Sequence, residues 1–157
     1  MELKVYIDRL KDGGEEKLSA SISTAFLEIE DSELTFDETL SLSGEAYVTD
    51  DHLILRFEAK TCAYVPCSIC NSPVKIPILL SNFYHAEPIE EIPSAVFDFS
   101  EILREDILIQ VPLFAECQNG NCPEREHVKN ILKQTPSGQN PASSHSVQFP
   151  FSNLDNE

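Results

Sequence analysis

The segment "HLILRFEAKT", residues 52–61, places Leu53, Leu55, Phe57 and Ala59 on one parity of an extended chain and Arg56, Glu58 and Lys60 on the other. A period of two sends the apolar groups to one face of an extended chain and the charges to the other, so this stretch reads as a half-buried strand. Asp50-Asp51 precedes it as a tight turn. Before that, "LTFDETLSLSGEAYVTDD" supplies a partner strand, and an antiparallel hairpin is expected. "VKIPILLSNFYHAEP" repeats the alternation with Val74, Ile76, Ile78 and Leu80 on one face. Pro77 cannot donate to a ladder, which assigns that strand to an edge or a bulge. Near the N-terminus, "LKVYIDRL" alternates Leu3, Val5 and Ile7 against polar neighbours, and "KDGGEEK" reads as a charged loop turning at Gly-Gly.

One segment breaks the period. In "VFDFSEILREDILIQVP", Phe99, Ile102, Leu103, Ile107 and Gln110 recur at helical spacing, and Pro112 ends the run. Asp98 suits the N-cap with Glu101 three residues on, and Phe97 can staple onto Ile102. The stripe is expected to pack on the sheet as core. After Lys133, "QTPSGQNPASSHSVQ" has almost nothing to bury and reads as a disordered linker. The expected architecture is therefore α+β, mainly antiparallel sheet with one main helix of the C-terminal half packed on it, and a disordered tail. The domain is assigned to residues 1–133, the linker to 134–148 and a short apolar tail motif to 149–157. In that motif Phe149, Phe151 and Leu154 are candidate partner-binding residues.

Charge narrows the function. Twenty-seven acids against 11 bases give −16, and residues 84–126 hold ten acids against Arg104 and Arg125. Binding to nucleic acid depends on Lys and Arg that neutralise phosphates, so direct RNA contact is disfavoured and a basic protein partner is the better expectation. No apolar run approaches the roughly 20 residues that cross a bilayer. The charged N-terminus, "MELKVYIDRLKDGGEEK", does not resemble a signal peptide, which makes the cytoplasm, with its reduced thiols, the expected location. There is no Gly-rich phosphate loop, GxSxG or HExxH, and no pairing of carboxylates that marks acid–base chemistry. No enzymatic activity and no small-molecule substrate are expected.

Five cysteines include two pairs, Cys67-x2-Cys70 and Cys117-x4-Cys122, separated by 46 residues. Two short knuckles of this kind suit a structural zinc with four thiolate ligands. Disulfides fit poorly with an odd count and a reducing compartment. A redox pair at Cys67 and Cys70 would be expected to open a helix, whereas "CSICNSPVKIP" leads into a strand; a thiol-based redox or sensor function remains the alternative. His127 could substitute as a ligand, and Cys62 reads as a small buried hydrophobe.

The order of these features resembles the YceD-like family of large ribosomal RNA subunit accumulation proteins. Cys67 and Cys70 match its first cysteine pair. Asp98, Phe99, Glu101, Ile102, Glu105, Ile107, Leu108, Val111 and Pro112 match its helix signature, with Phe99 and Val111 as conservative variants. Cys117 and Cys122 match its last cysteine cluster, and Pro150, Phe151 and Leu154 its terminal motif. The likeness spans roughly residues 45–125 and the end of the chain. Ile69 stands where relatives usually carry arginine, so any partner contact made by that arginine is absent or replaced. The resemblance implies a bacterial or plastid-type factor affecting synthesis, processing or stability of 23S rRNA, with a basic ribosomal or rRNA-processing protein as the expected partner.

Overall fold

The computed structural model describes residues 3–134. The linker and tail motif, with Phe149, Phe151 and Leu154, lie outside the described residues, apart from Gln134. The chain divides into two compact units, Met1–Cys122 and Pro123–Glu157.

The first unit is built on an antiparallel sheet. β2 (Glu15–Ser23), β4 (Thr39–Thr49), β5 (His52–Pro66) and β6 (Pro73–Pro88) lie side by side in that order, and the short β3 (Thr35–Phe36) continues along the edge of β5 beyond β4. The hairpin between β4 and β5 turns at Asp50 and Asp51, both at positive φ (48° and 60°), the backbone hand that matches the twist of paired strands. Leu53, Leu55, Phe57 and Ala59 are buried, while Arg56, Glu58 and Lys60 are exposed, as the alternation predicts.

β6 is an edge strand, which is where Pro77 is tolerated. Its bulge falls further on. Phe57 faces Phe83 and Ala59 faces Leu80, so Ser81 and Asn82 together oppose Glu58, with Asn82 at φ 59°. The extra residue reverses the parity of the strand. Ile78 and Leu80 point inward before it; Phe83, His85 and Glu87 occupy the more buried positions after it. Phe83 thereby stacks on Phe57, ring centroids 4.1 Å apart.

Gly44 sits mid-strand in β4 between Leu18 and Phe57. A Cβ there would run into the Arg56 carbonyl oxygen and the Phe57 backbone, so the close approach of β4 to β5 depends on the missing side chain.

Two N-terminal expectations need correction. The first strand, β1 (Lys4–Tyr6), stops before Ile7 and gives way to a 3-10 turn over Ile7–Arg9 that buries Ile7. The residues read as a charged loop include the start of β2, whose signal was the alternation of Leu18, Ala20 and Ile22 with serines. β1 pairs with β7 (Val96–Asp98), and the Phe99 amide donates to the Leu3 carbonyl (2.9 Å), tying the N-terminus to the entry of the helix.

That helix, α1 (Ser100–Ile109), starts later than the capping pattern suggests, with Phe99 at the cap position. Asp98 Oδ1 instead reaches forward, accepting from the Ser100 amide (3.0 Å) and hydroxyl (2.6 Å). Phe99, Leu103 and Ile107 form the buried stripe, and Gln110 is exposed rather than part of it. Phe99 packs on Phe57 (5.6 Å between centroids), and Arg104 Nε donates to the Leu27 carbonyl (2.8 Å). α1 thus joins one core with the sheet. A single turn of largely left-handed backbone, labelled α2 (Cys117–Gly120), closes this unit. In the second unit, α3 (Arg125–Gln134) is amphipathic and exposes Val128, Ile131 and Leu132. Among the described residues no helix is long and apolar enough to cross a membrane.

Candidate metal centre

β5 and β6 are long strands, and their shared end carries the first thiol pair beyond the apolar core. Cys67 directly follows β5. Its amide donates to the Ser72 carbonyl (2.7 Å) and its carbonyl accepts from the Asn71 amide (2.9 Å), so residues 67–72 close into a small loop. Asn71 adopts φ 63°, a conformation its short polar side chain tolerates. Cys70 therefore folds back beside Cys67.

The second pair arrives from α1. Ala115 forms an isolated parallel bridge with Cys67. Its carbonyl accepts from both the Ser68 amide (2.8 Å) and the Ser68 hydroxyl (2.9 Å). This clamp places Cys117 against the first loop, where its amide donates to Cys67 Sγ (3.4 Å). The chain then reverses through Gln118, Asn119 and Gly120, all at positive φ (53°, 53° and 87°). Left-handed backbone at two successive non-glycine residues costs energy and persists only where surroundings impose it. Here it returns Cys122 to the cluster, with its amide held by Glu116 Oε1 (3.1 Å).

The Sγ atoms of Cys67, Cys70, Cys117 and Cys122 all lie within 4.8 Å of one another, with Cys70 and Cys117 at 3.7 Å. An ion about 2.3 Å from four tetrahedral sulfurs sets sulfur–sulfur edges near 3.8 Å, so the four thiols are placed to share one metal ion. Cys67 and Cys122 are buried, Cys70 and Cys117 half-buried, and all five cysteines of the chain are free thiols. Among the described residues this is the one cluster with metal-ligand geometry.

The two pairs differ in their hold on protons. The backbone amides of Cys70, Cys117 and Ile69 aim at Cys67 Sγ and bring its pKa down to about 6 against the opposing effect of burial. The Ser72 hydroxyl and amide lower that of Cys70. Cys117 is pushed up to about 12, first by its hydrogen bond with the Cys122 thiol and then by burial. In the cluster, Cys67 therefore gives up its proton most readily and Cys117 holds its proton firmly. A cation that displaced that proton would turn the repulsion of crowded thiolates into ligation.

Other residues singled out in the sequence lie elsewhere. Cys62, expected to be buried, is half-buried on β5 opposite Pro77 and outside the cluster. The reason is parity: Thr61 and Ala63 take the inward positions around it. His127 is on α3 of the second unit, and the four-thiol set is complete without it. His85 pairs with Glu87 (2.9 Å) and stacks on Phe97, while His52 Nδ1 lies 2.8 Å from the Asp50 carbonyl. Sequence reasoning missed Ser68, Ser72, Ala115 and Glu116. They act largely through backbone groups and short polar contacts, for which a single sequence carries no signal beyond adjacency to a cysteine.

Set against family models, curated proteins and solved structures, the chain finds no match.

Proposed function

We propose that this protein is a non-enzymatic ribosome-biogenesis factor, braced by a structural zinc, that promotes accumulation of 23S rRNA through a basic protein partner. The observation carrying this reading is the convergence of the two cysteine pairs that flank α1. It gives a physical purpose to the order strand, cysteine pair, helix, cysteine pair, on which the resemblance to the YceD-like family rests. Zinc is the ion favoured by an all-sulfur tetrahedral set. The −16 charge argues that contact with the ribosomal precursor runs through a protein rather than through RNA.

Depletion of the protein tests this. The expected result is a fall in 23S relative to 16S rRNA; an unchanged ratio overturns the rRNA reading.

One observation favours a second reading, a thiol redox or sensor protein: the lowered pKa of Cys67, beside Cys70. Alkylation separates the two. Metal-held thiols in the protein as isolated resist iodoacetamide until a chelator is added, whereas a redox pair reacts at once near neutral pH.

A further inference from the structure

The segment joining α1 to the thiol cluster presents the three most exposed large apolar side chains of the described chain: Ile109 at 77%, Leu113 at 93% and Phe114 at 82%. Scattered exposed hydrophobes are ordinary, but three within six residues concentrate apolar surface on one short patch of chain. This patch is held in place at both ends. Upstream, Leu103 and Ile107 anchor α1 in the core; downstream, Ala115 is bridged to Cys67. Leu113 and Phe114 therefore stand on a fixed support, so a partner would not bear the cost of ordering this segment.

The surroundings are acidic. Glu101 and Glu105 are exposed on α1, and Asp106 is half-buried one turn before Ile109. Arg104, the one base on this helix, is turned toward the Leu27 carbonyl. On that side Glu28, Glu30 and Asp31 line a hollow of about 440 Å³ together with Arg104 and Leu108.

We infer that Ile109, Leu113 and Phe114 with the acids of α1 form a docking surface for a basic protein segment carrying an aromatic or aliphatic anchor. Charge selects this occupant. A second copy would bring −16 against −16, and RNA or an anionic lipid surface would bring phosphates against carboxylates. A lysine- or arginine-rich segment gains from both halves of the surface: its apolar anchor covers Leu113 and Phe114, and its cations meet Glu105 and Asp106. The inference deepens the proposed function by assigning a surface to its basic partner.

The test uses the full chain in the cells that make it, with a photo-crosslinking phenylalanine analogue at position 114 or, as control, at exposed Ser19. The expected product at 114 is a protein whose captured segment has a clear excess of Lys and Arg, with little product at 19. Capture should fall at least tenfold in Leu113→Ser and in Glu105→Lys/Asp106→Lys, while metal content and melting temperature stay at wild-type values. A crosslink to a second copy, to RNA or to residues 149–157 of the same chain overturns the inference. So does equal capture at both positions, or none at 114. The rRNA ratio is read separately: a basic partner captured at 114 with unchanged 23S rRNA keeps the surface and removes the rRNA reading, and the converse removes the surface alone.

Discussion

The sheet and the thiol clasp are continuous in sequence at Pro66–Cys67 yet are held by opposite physics. In the sheet, β4, β5 and β6 align buried leucines, isoleucines and phenylalanines, and hydrogen bonding is supplied by the ladders themselves. In the clasp, only Cys67, Ala115 and Cys122 are buried, three residues in a row have left-handed backbone, and a few hydrogen bonds join two chain segments some 50 residues apart. Apolar burial is spread over many side chains and tolerates local loss. With a metal ion bound, as we propose, the clasp would concentrate its stability in that ion, since closing its long loop costs entropy that a few hydrogen bonds do not offset. The fold therefore has a robust part and a conditional part, and the exposed Leu113–Phe114 segment lies next to the conditional one.

Metal removal is the strongest way to break this comparison. Structural zinc binding contributes roughly 10–16 kcal/mol at neutral pH in small metal-dependent domains, and on the proposed zinc-bound form that energy would fall on the clasp. Cys117→Ser, or a chelator on the wild type, should abolish stoichiometric metal and raise amide exchange at residues 67–72 and 115–122 at least tenfold, while β4 and β5 amides keep their protection. Equal loss of protection in both regions would show that the clasp and the sheet are one cooperative unit. Metal affinity should also climb with pH. Cys117, pushed up to about 12, holds a proton that binding must expel, so affinity rises about tenfold per pH unit between 7 and 8 for that group alone; Cys67, at about 6, is already deprotonated there and adds no slope. A competition titration across pH checks it.

Gly44→Ala attacks the other region. The added methyl meets the backbone of Arg56 and Phe57, and forcing β4 from β5 should cost about 3 kcal/mol, read as a lower urea midpoint. Metal affinity of the folded variant should not change, since the clasp lies at the far end of β5.

The smallest effect sits at the entry of α1. Asp98→Ala removes the acceptor for the Ser100 amide and hydroxyl and should cost about 1 kcal/mol near neutral pH. Those hydrogen bonds, the hydroxyl first, hold the Asp98 pKa below the ordinary aspartate value of 3.8. A depressed folded pKa stabilises above the unfolded pKa and loses that contribution as pH falls through the folded value. The gap between wild type and variant in thermal melts should therefore be full above about pH 5 and close as the pH drops below 4.

Much of this was legible in the chain because the underlying rules are local. Alternation at Leu53–Lys60 and Val74–Leu80, the Asp50-Asp51 turn, the Phe99–Leu103–Ile107 stripe and the edge assignment from Pro77 each depend on neighbours a few residues away. Local rules also explain the misses. Ile7 continues the period of β1 but leaves the strand to fill the core, and the serines of β2 dilute an alternation overshadowed by the charged run before it. The cysteine spacing is equally local, and it correctly offered two knuckles.

What the sequence by itself determined, then, is which long segments extend, that the segment of α1 coils and where thiols occur in pairs, since side-chain period and backbone preference act within a turn or a strand. The short helix α3 after the second thiol pair went unread. Only the tertiary structure decided that Ser81 and Asn82 reverse the parity of β6, that Gly44 sits under the Phe57 backbone and that Cys117 and Cys122 arrive within 4.8 Å of Cys67 and Cys70. Each of these is a meeting of distant segments. Its geometry is set by the packing of α1 and the sheet around a common core, and no pattern within a single segment encodes that.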